Sequence, residues 1–425
     1  MSSNLLTGCS KITLPDLDKI AIESQLVVRK SRKFSPDAFL QSLLSSVGSG
    51  LASFNQMAAN LKERVLEPMA RQSLYERFSH KSTSFLLKVL DELMTQRFKP
   101  VACALKGSQI RRVIIEDASI QALPKSNFET FPSYGNNYGK TAAIKIDFTY
   151  DILSGTTISH TLQRATTQDK NIGQDLLTQI SKGDLVLRDM GYFSLEQFTE
   201  IESLGAKWLS RLPLFITVML EDGKPLEKRL QKSRQNVLEL TVRLGRQGKQ
   251  CRLIAIRSSQ ETAEKRSRER KAKAKKNGKT PSSKGPIRDR WHLMVTNLEE
   301  SEATSTQITE IYQTRWAIEI QFRAWKQSLN LSKALNRKSN KHHLQGLILA
   351  AMIAHQLGMK VAETIGTQVS RDELSFEKLY DILAQHLQKT KRFADLLEFL
   401  PDRRHVIRDK RKRKSPIESG LTALT

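Results

Sequence analysis

Acidic side chains are scarce in this 425-residue sequence: 44 Asp and Glu stand against 69 Lys and Arg, a formal net charge of +25. A surplus of that size disfavours cationic partners and points to a polyanion, most simply nucleic acid. Cysteine is scarcer still. Cys9, Cys103 and Cys251 are odd in number and far apart, which excludes a disulfide framework and zinc-ligand spacing and fits a reducing compartment. Long apolar runs are also missing. The most apolar stretch, "LQGLILAAMIAHQLGM" (Leu344–Met359), carries His355 and two glutamines and reads as a buried helix rather than a membrane span. "LLTGC" (Leu5–Cys9) has the look of a lipoprotein cleavage site, but no apolar segment precedes it. A soluble, basic, intracellular protein without a membrane partner is expected.

What is present changes texture along the chain. Residues 1–105 read as a helical region: "DAFLQSLLSSV", "SFNQMAANLKERV", "MARQSLYERFS" and "TSFLLKVLDELM" all carry apolar residues at helical spacing. Two short helices around "ERVLEP" resemble a helix-turn-helix whose second member offers Arg71, Gln72, Ser73 and Arg77 to bases or phosphates. An ordinary helical hairpin is the competing reading. From 106 to 205 the pattern is three strands, helix, strand, helix: "RRVIIEDASI", "KTAAIKIDFTYDI", "TTISHTLQRA", "DKNIGQDLLTQI", "GDLVLRDMGYF" and "SLEQFTEIESLG", the last capped by Ser194. That order suggests an α/β sheet of the ribonuclease-H type.

Residues 206–297 read as a β-rich insertion interrupting that core. Its basic loop, 262–290, holds twelve Lys or Arg against three acids between Glu264 and Arg290. The Glu264–Lys276 part is expected to be helical, the Gly/Pro/Ser-containing part a mobile loop, and the whole a phosphate-binding arm. The core resumes over 298–390. A basic tail, 391–425, ends the chain with "RDKRKRK" at Arg408–Lys414.

Two strand readings close on aspartates, Asp117 and Asp189, and strand ends are where α/β folds place ligands. A third carboxylate comes from "IYQTRWAIEIQFRAWKQSL" (Ile311–Leu329). On a continuous helix Tyr312, Arg315, Glu319 and Lys326 fall within an arc of about 60° beside an apolar stripe. Alone, that face is as well explained by a solvated Arg–Glu pair. Three carboxylates from separate elements are nevertheless what two oxygen-liganded divalent metals require for phosphoryl transfer. The absence of paired His and thiolates argues against zinc.

The spacing Y-x2-R-x3-E-x6-K, filled by Tyr312, Arg315, Glu319 and Lys326, resembles the signature of DDE transposases of the bacterial insertion-sequence-four family. "DAS" at Asp117 and "DMGYF" at Asp189 are similar to that family's two Asp motifs, with Met190 where Arg is more usual; Arg188, just before the Asp, is expected to compensate. The acids lie 72 and then 130 residues apart; the longer gap suits the family's β-rich inserted domain. The resemblance runs from about Ser53 to the C-terminus. It implies Asp117, Asp189 and Glu319 as catalytic ligands of two Mg²⁺ ions, with Mn²⁺ as a substitute. Tyr312, Arg315 and Lys326 would grip phosphates. Trp291 would stack on a base flipped from the DNA end, with Trp316 beside it.

The implied partners are double-stranded DNA, both terminal inverted repeats and target, and a second copy of the chain in a homodimeric synaptic complex. The implied place is the bacterial cytoplasm, with the nucleoid. The implied activity is cut-and-paste transposition through hairpin ends. Two alternatives use the same residues: a metal-dependent nuclease or resolvase on the ribonuclease-H fold, which would give no strand-transfer product, and a non-catalytic DNA-binding regulator derived from a transposase, which would bind without cleaving.

Overall fold

A computed structural model describes residues 15–29, 32–65, 67–95, 110–135, 139–154, 156–167, 176–278, 280–315, 319, 322–336, 339–366, 374–389 and 403–407. The first described elements are all helices: α1 Leu17–Glu23, α2 Pro36–Ser49, α3 Phe54–Lys62, α4 Arg71–Arg77 and α5 His80–Thr95. Their starts are written locally. Asp16, Ser35 and Ser53 each accept a bond from the backbone N–H three residues on, satisfying donors that a helix N-terminus leaves unpaired. Gly50, at φ 71°, closes α2 in the left-handed conformation.

Nine strands follow, separated by shorter helices. They are β1 Arg112–Leu123, β2 Ala142–Asp151, β3 Thr156–Arg164, β4 Asp184–Arg188, β5 Lys207–Arg211, β6 Val218–Leu220, β7 Val237–Leu244, β8 Lys249–Arg257 and β9 Trp291–Thr296. Helix α6, Leu195–Ser203, lies between β4 and β5, and α7, Leu226–Lys232, between β6 and β7. Helices α8, Gln260–Lys276, and α9, Gly285–Arg288, precede β9. All nine strands form one sheet in the order β3-β2-β1-β4-β5-β9-β8-β7-β6. The first three are antiparallel neighbours, whereas β4 pairs parallel with both β1 and β5. The sheet does not pause at residue 206. β5 continues the parallel pairing on one side and accepts β9 antiparallel on the other, so the strands read as an insertion extend the same sheet.

Alternation along the strands sends side chains to two different cores. Val113, Ile115, Leu185, Leu187 and Leu209 join one cluster; Ile114, Val186 and Trp208 join the other. The first cluster is covered by α2 and α5 together with α10 Ser305–Gln313, α12 Lys341–Gly366 and α13 Phe376–Lys389; the short α11 Leu331–Ala334 packs beside them, and α14 Arg403–Val406 contacts α13. The N-terminal helices therefore share a core with the C-terminal ones. Each Val, Leu, Ile, Phe or Met side chain fully buried there contributes about 1.5–3 kcal/mol. Lys341–Ala362 is, among the described residues, the one helix long and apolar enough to cross a membrane, but 94% of its apolar window is buried inside the protein.

Candidate active site

The site begins where two parallel strands part. β1 and β4 pair from Arg112↔Asp184 to Ile115↔Leu187. The pairing then stops, while β1 runs on to Leu123 against β2 alone. Asp117 is thus a mid-strand residue beside a fork, not the strand's last residue as the sequence suggested. The register offset at the fork is 72 residues, the same as the separation of the two aspartates. Asp117 and Asp189 consequently stand level, both pointing to the face that α10 covers. One step back, Glu116 and Arg188 also stand level, on the opposite face, and form an ion pair at 3.0 Å with both side chains 0% exposed. Arg188 also donates to Gln197 of α6. Fully committed inside the protein, Arg188 cannot replace the cation missing at Met190, and that expectation is corrected. Met190 itself is exposed.

Asp189 follows β4 in extended backbone and opens a single tight turn, Met190–Tyr192. The Tyr192 hydroxyl donates to buried Asp147 of β2 at 2.7 Å. That bond ties the turn after Asp189 to the strand on the far side of β1 and so fixes where Asp189 stands.

Arg315 links the third carboxylate to the first. Its Nη1 donates to Asp117 Oδ2 at 3.0 Å and its Nη2 to Glu319 Oε1 at 3.3 Å. One planar guanidinium is forked between two carboxylates that are 202 residues apart in the chain. The Tyr312 hydroxyl donates to the Arg188 carbonyl at 3.2 Å, at the end of β4. Lys326 Nζ donates to the Ile120 carbonyl at 2.8 Å, and Ser332 to Gln121 at 2.8 Å. These last two bonds fall along the stretch of β1 that β4 has left.

The stretch Ile311–Leu329 is not one uniform helix. α10 stops at Gln313, and Thr314 and Arg315 bond back three residues, to Ile311 and Tyr312, in a tightened turn. Ala324–Ser328 is instead a widened π-helical segment, a form that recurs at functional sites. The wheel that assumed a constant 3.6-residue period is corrected accordingly, although Tyr312, Arg315 and Glu319 still converge.

The electrostatics are those of crowded negative charge. Burial pushes the Asp117 carboxyl up to about 6; Arg315 and the Ala118 N–H oppose this, and the charges of Asp189 and Glu319 add to it. Burial also disfavours the charge of Arg315, but Tyr312, Asp189, Asp117 and Glu319 outweigh it and hold the guanidinium above its ordinary value. The Tyr312 phenol is pushed up by burial and then by Asp189. Burial lowers Lys326. Asp117, Asp189 and Glu319 form an all-oxygen donor set of the kind suited to a hard divalent ion. Among the described residues no three acidic, His or Cys side chains are drawn close enough to hold an ion as they stand; Arg315 lies between Asp117 and Glu319 and balances their charge.

The other residues singled out from sequence fall elsewhere. Trp291 is 3% exposed, packed in the second core, with the Arg257 guanidinium 4.4 Å over its ring. The expected base-stacking role would need this ring, buried in the DNA-free chain, to come out of its packing. Trp316 and the tail at 408–414 lie outside the described residues. Arg71 and Gln72 are exposed on α4, and Gln72 bonds Glu76. Arg77 is turned inward, bonded to the Leu26 carbonyl and stacked over Phe34. In the basic segment, Arg288 is buried and Arg270 is paired with Asp289, so its last part is pinned rather than mobile.

Sequence reasoning missed Arg211. Arg188 pairs with Ser210, which places Arg211 level with Asp189 and Asp117 on a third strand, and its charge is felt at Tyr312. Its position at the end of "KWLSR" was the available signal, but only strand register gives it meaning.

The transposase DDE domain model matches residues 108–354. The transposase for insertion sequence element IS231F of Bacillus thuringiensis subsp. israelensis is 26% identical over 403 residues, covering 88% of this chain and 84% of its own. The IS231D transposase of Bacillus thuringiensis subsp. finitimus is 28% identical over 398 residues, covering 87% and 82%. A cryo-EM structure of the piggyBac transposase synaptic complex with hairpin DNA superposes with a TM-score of 0.45 at 13% identity, covering 91% of this chain and 82% of that one. With its family model spanning more than half the sequence and crossing both aspartates and Glu319, the chain belongs to the DDE transposase family.

Proposed function

We propose that this transposase cuts double-stranded DNA at terminal inverted repeats and joins the freed ends to a target, using Asp117, Asp189 and Glu319 as its acidic triad. The observation that supports this most directly is Arg315 held between Asp117 and Glu319, with Asp189 level in the strand register. A pair of divalent cations, Mg²⁺ or its substitute Mn²⁺, held by the three carboxylates would supply an activated attacking oxygen and offset charge on the leaving one. The strands β3-β2-β1-β4-β5 form a ribonuclease-H-like core in this reading, and β6 to β9 an elaboration of it.

The chain's own residues supply the rest. Arg315, once released from its two carboxylates, offers a planar fork to a phosphate beside the cleaved bond. Lys326 offers a point charge on the same side, and Tyr312 a hydroxyl. Water attacks phosphorus and the 3′ oxygen leaves as a hydroxyl. That hydroxyl attacks the opposite strand, breaking its backbone and closing a hairpin. A second water reopens the hairpin, and the 3′ hydroxyls then attack target phosphates. Each step exchanges one P–O bond for another, so one site serves all of them and no covalent protein–DNA link forms.

Exposed Arg71 and Gln72 on α4 suit end recognition in a helix-turn-helix-like unit. Two copies acting on two ends, in the bacterial cytoplasm at the nucleoid, complete the reading. It is tested by incubating the purified protein with Mg²⁺ and the DNA flanking its own gene. Hairpin ends on denaturing gels and strand-transfer products are expected. Cleavage without strand transfer would favour the resolvase, and binding without cleavage the regulator.

A further inference from the structure

Helix α8 is polar on every side, and such a helix needs a reason to exist. It has no fully buried residue. It is docked by arginines: Arg270 donates twice to Asp289, at 3.0 and 2.9 Å, and Arg266 reaches the Ser258 hydroxyl at 3.0 Å and the Trp291 carbonyl at 3.2 Å. Gly285 has no side chain to obstruct Arg270, whose guanidinium occupies the place where a Cβ would lie. The half-covered residues Thr262, Ala263, Arg266, Ser267, Arg270 and Ala274 form the docking stripe.

The rest of the circumference carries Lys265, Arg268, Lys271, Lys275 and Lys276, all exposed, and Lys273 is exposed along the line of the stripe. The acids Glu261, Glu264 and Glu269 precede the last two turns, and none lies among residues 270–276. A merely solvated helix gains from alternating signs, and like charges at i and i+4 such as Lys271 and Lys275 destabilise it. Here the repulsion is kept, on a helix clamped to the sheet. The charge also connects to the site: Arg211, level with Asp189, acts electrostatically on both Arg266 and His292 at the foot of α8.

We infer that the exposed face of α8 is a second DNA-binding surface, taking the phosphate backbone of a duplex beyond the part held at the carboxylates. This rests on the transposase reading above. At 1.5 Å per residue α8 is about 25 Å long, enough to follow the backbone over about seven base pairs. The backbone could belong to the element end itself or to target DNA, since the chemistry is the same.

The test uses the full chain with Arg268→Gln, Lys271→Gln and Lys275→Gln combined, and the charge-preserving set Arg268→Lys, Lys271→Arg and Lys275→Arg as control. Binding of a long element-end duplex, a short one confined to the cleavage site, and a target duplex presented with pre-cut short ends is followed against salt. Each lost phosphate contact lowers the salt slope by about 0.9, so the neutralised variant is expected to lose about two to three. A loss for the long end alone assigns α8 to the element end, and a loss for the target alone assigns it to the target. The control set should retain the slope, and cleavage of the short duplex should be unchanged. Equal slopes for variant and unaltered protein on every duplex would overturn the inference. Failure of the unaltered protein to cleave would instead overturn the enzyme reading.

Discussion

Two buried arginines, one in β4 near the middle of the sheet and one at the end of α9, do the same structural work beside very different surroundings. At the fork, Arg188 pairs with Glu116 and holds the strands where Asp117 and Asp189 begin. In α9, Arg288 pairs with Glu227 at 2.7 Å and donates to the carbonyls of Pro213, Leu214 and Ile216. The Arg288–Glu227 pair satisfies a loop and leaves Phe215 exposed. The fork pair lies one residue from Asp117, whose carboxyl is held above its ordinary range by burial and by the charges of Asp189 and Glu319. A buried ion pair can thus be a plain fastener, or a fastener whose neighbours are held under electrostatic tension.

The comparison can be broken hardest at the carboxylates. Glu319→Ala should lower cleavage by about 10⁴-fold or more while DNA-end binding persists; denaturing gels and a filter-binding assay read the two. Cleavage within tenfold of the unaltered protein would remove Glu319 from the triad. Next come the two fasteners. Arg188→Met and Arg288→Met each leave a buried carboxylate without its cation, so each should cost about 3–5 kcal/mol in denaturant unfolding. Only Arg188→Met should also abolish activity at a temperature where the protein is folded; equal activity losses would erase the distinction drawn here.

The pH dependence of stability sharpens it further. Asp117 holds its proton up to about pH 6, against 3.8 ordinarily. The folded state therefore binds more protons than the unfolded one across that window, and stability falls as pH rises through it, by about 2–3 kcal/mol. Asp117→Asn should flatten this part of the melting profile. Mg²⁺ should raise the melting temperature more at pH 7.5 than at pH 5.5, because cation and proton compete for the same oxygens. Least of all, Trp291→Phe should cost about 1–3 kcal/mol without changing the ratio of hairpin to nicked product. A selective loss of hairpin would restore Trp291 to the DNA.

Tyr312, Arg315 and Glu319 were legible because chemistry at short spacing survives modest changes in helical pitch. Which aromatic is exposed was not legible: a Trp at a strand start looks the same whether its ring meets solvent or, as at Trp291, another core residue and an arginine. Arg188 failed for the same reason, since a cation beside an acid does not reveal the Glu116 that engages it from the next strand. The strands after residue 206 were found, but their membership of the same sheet depends on β9 returning to β5, a pairing of distant segments that local pattern cannot supply. Arg211 stayed hidden until three strands could be laid side by side.

The parallel register that sets Asp117, Asp189 and Arg211 level also dictates which changes the chain tolerates. Loops joining these strands can lengthen or shorten freely, since the acids meet through backbone pairing and not through the number of residues between them. Deleting a single residue inside β4 would be another matter: it would swing Asp189 to the reverse face of the sheet and bring Met190 round in its place.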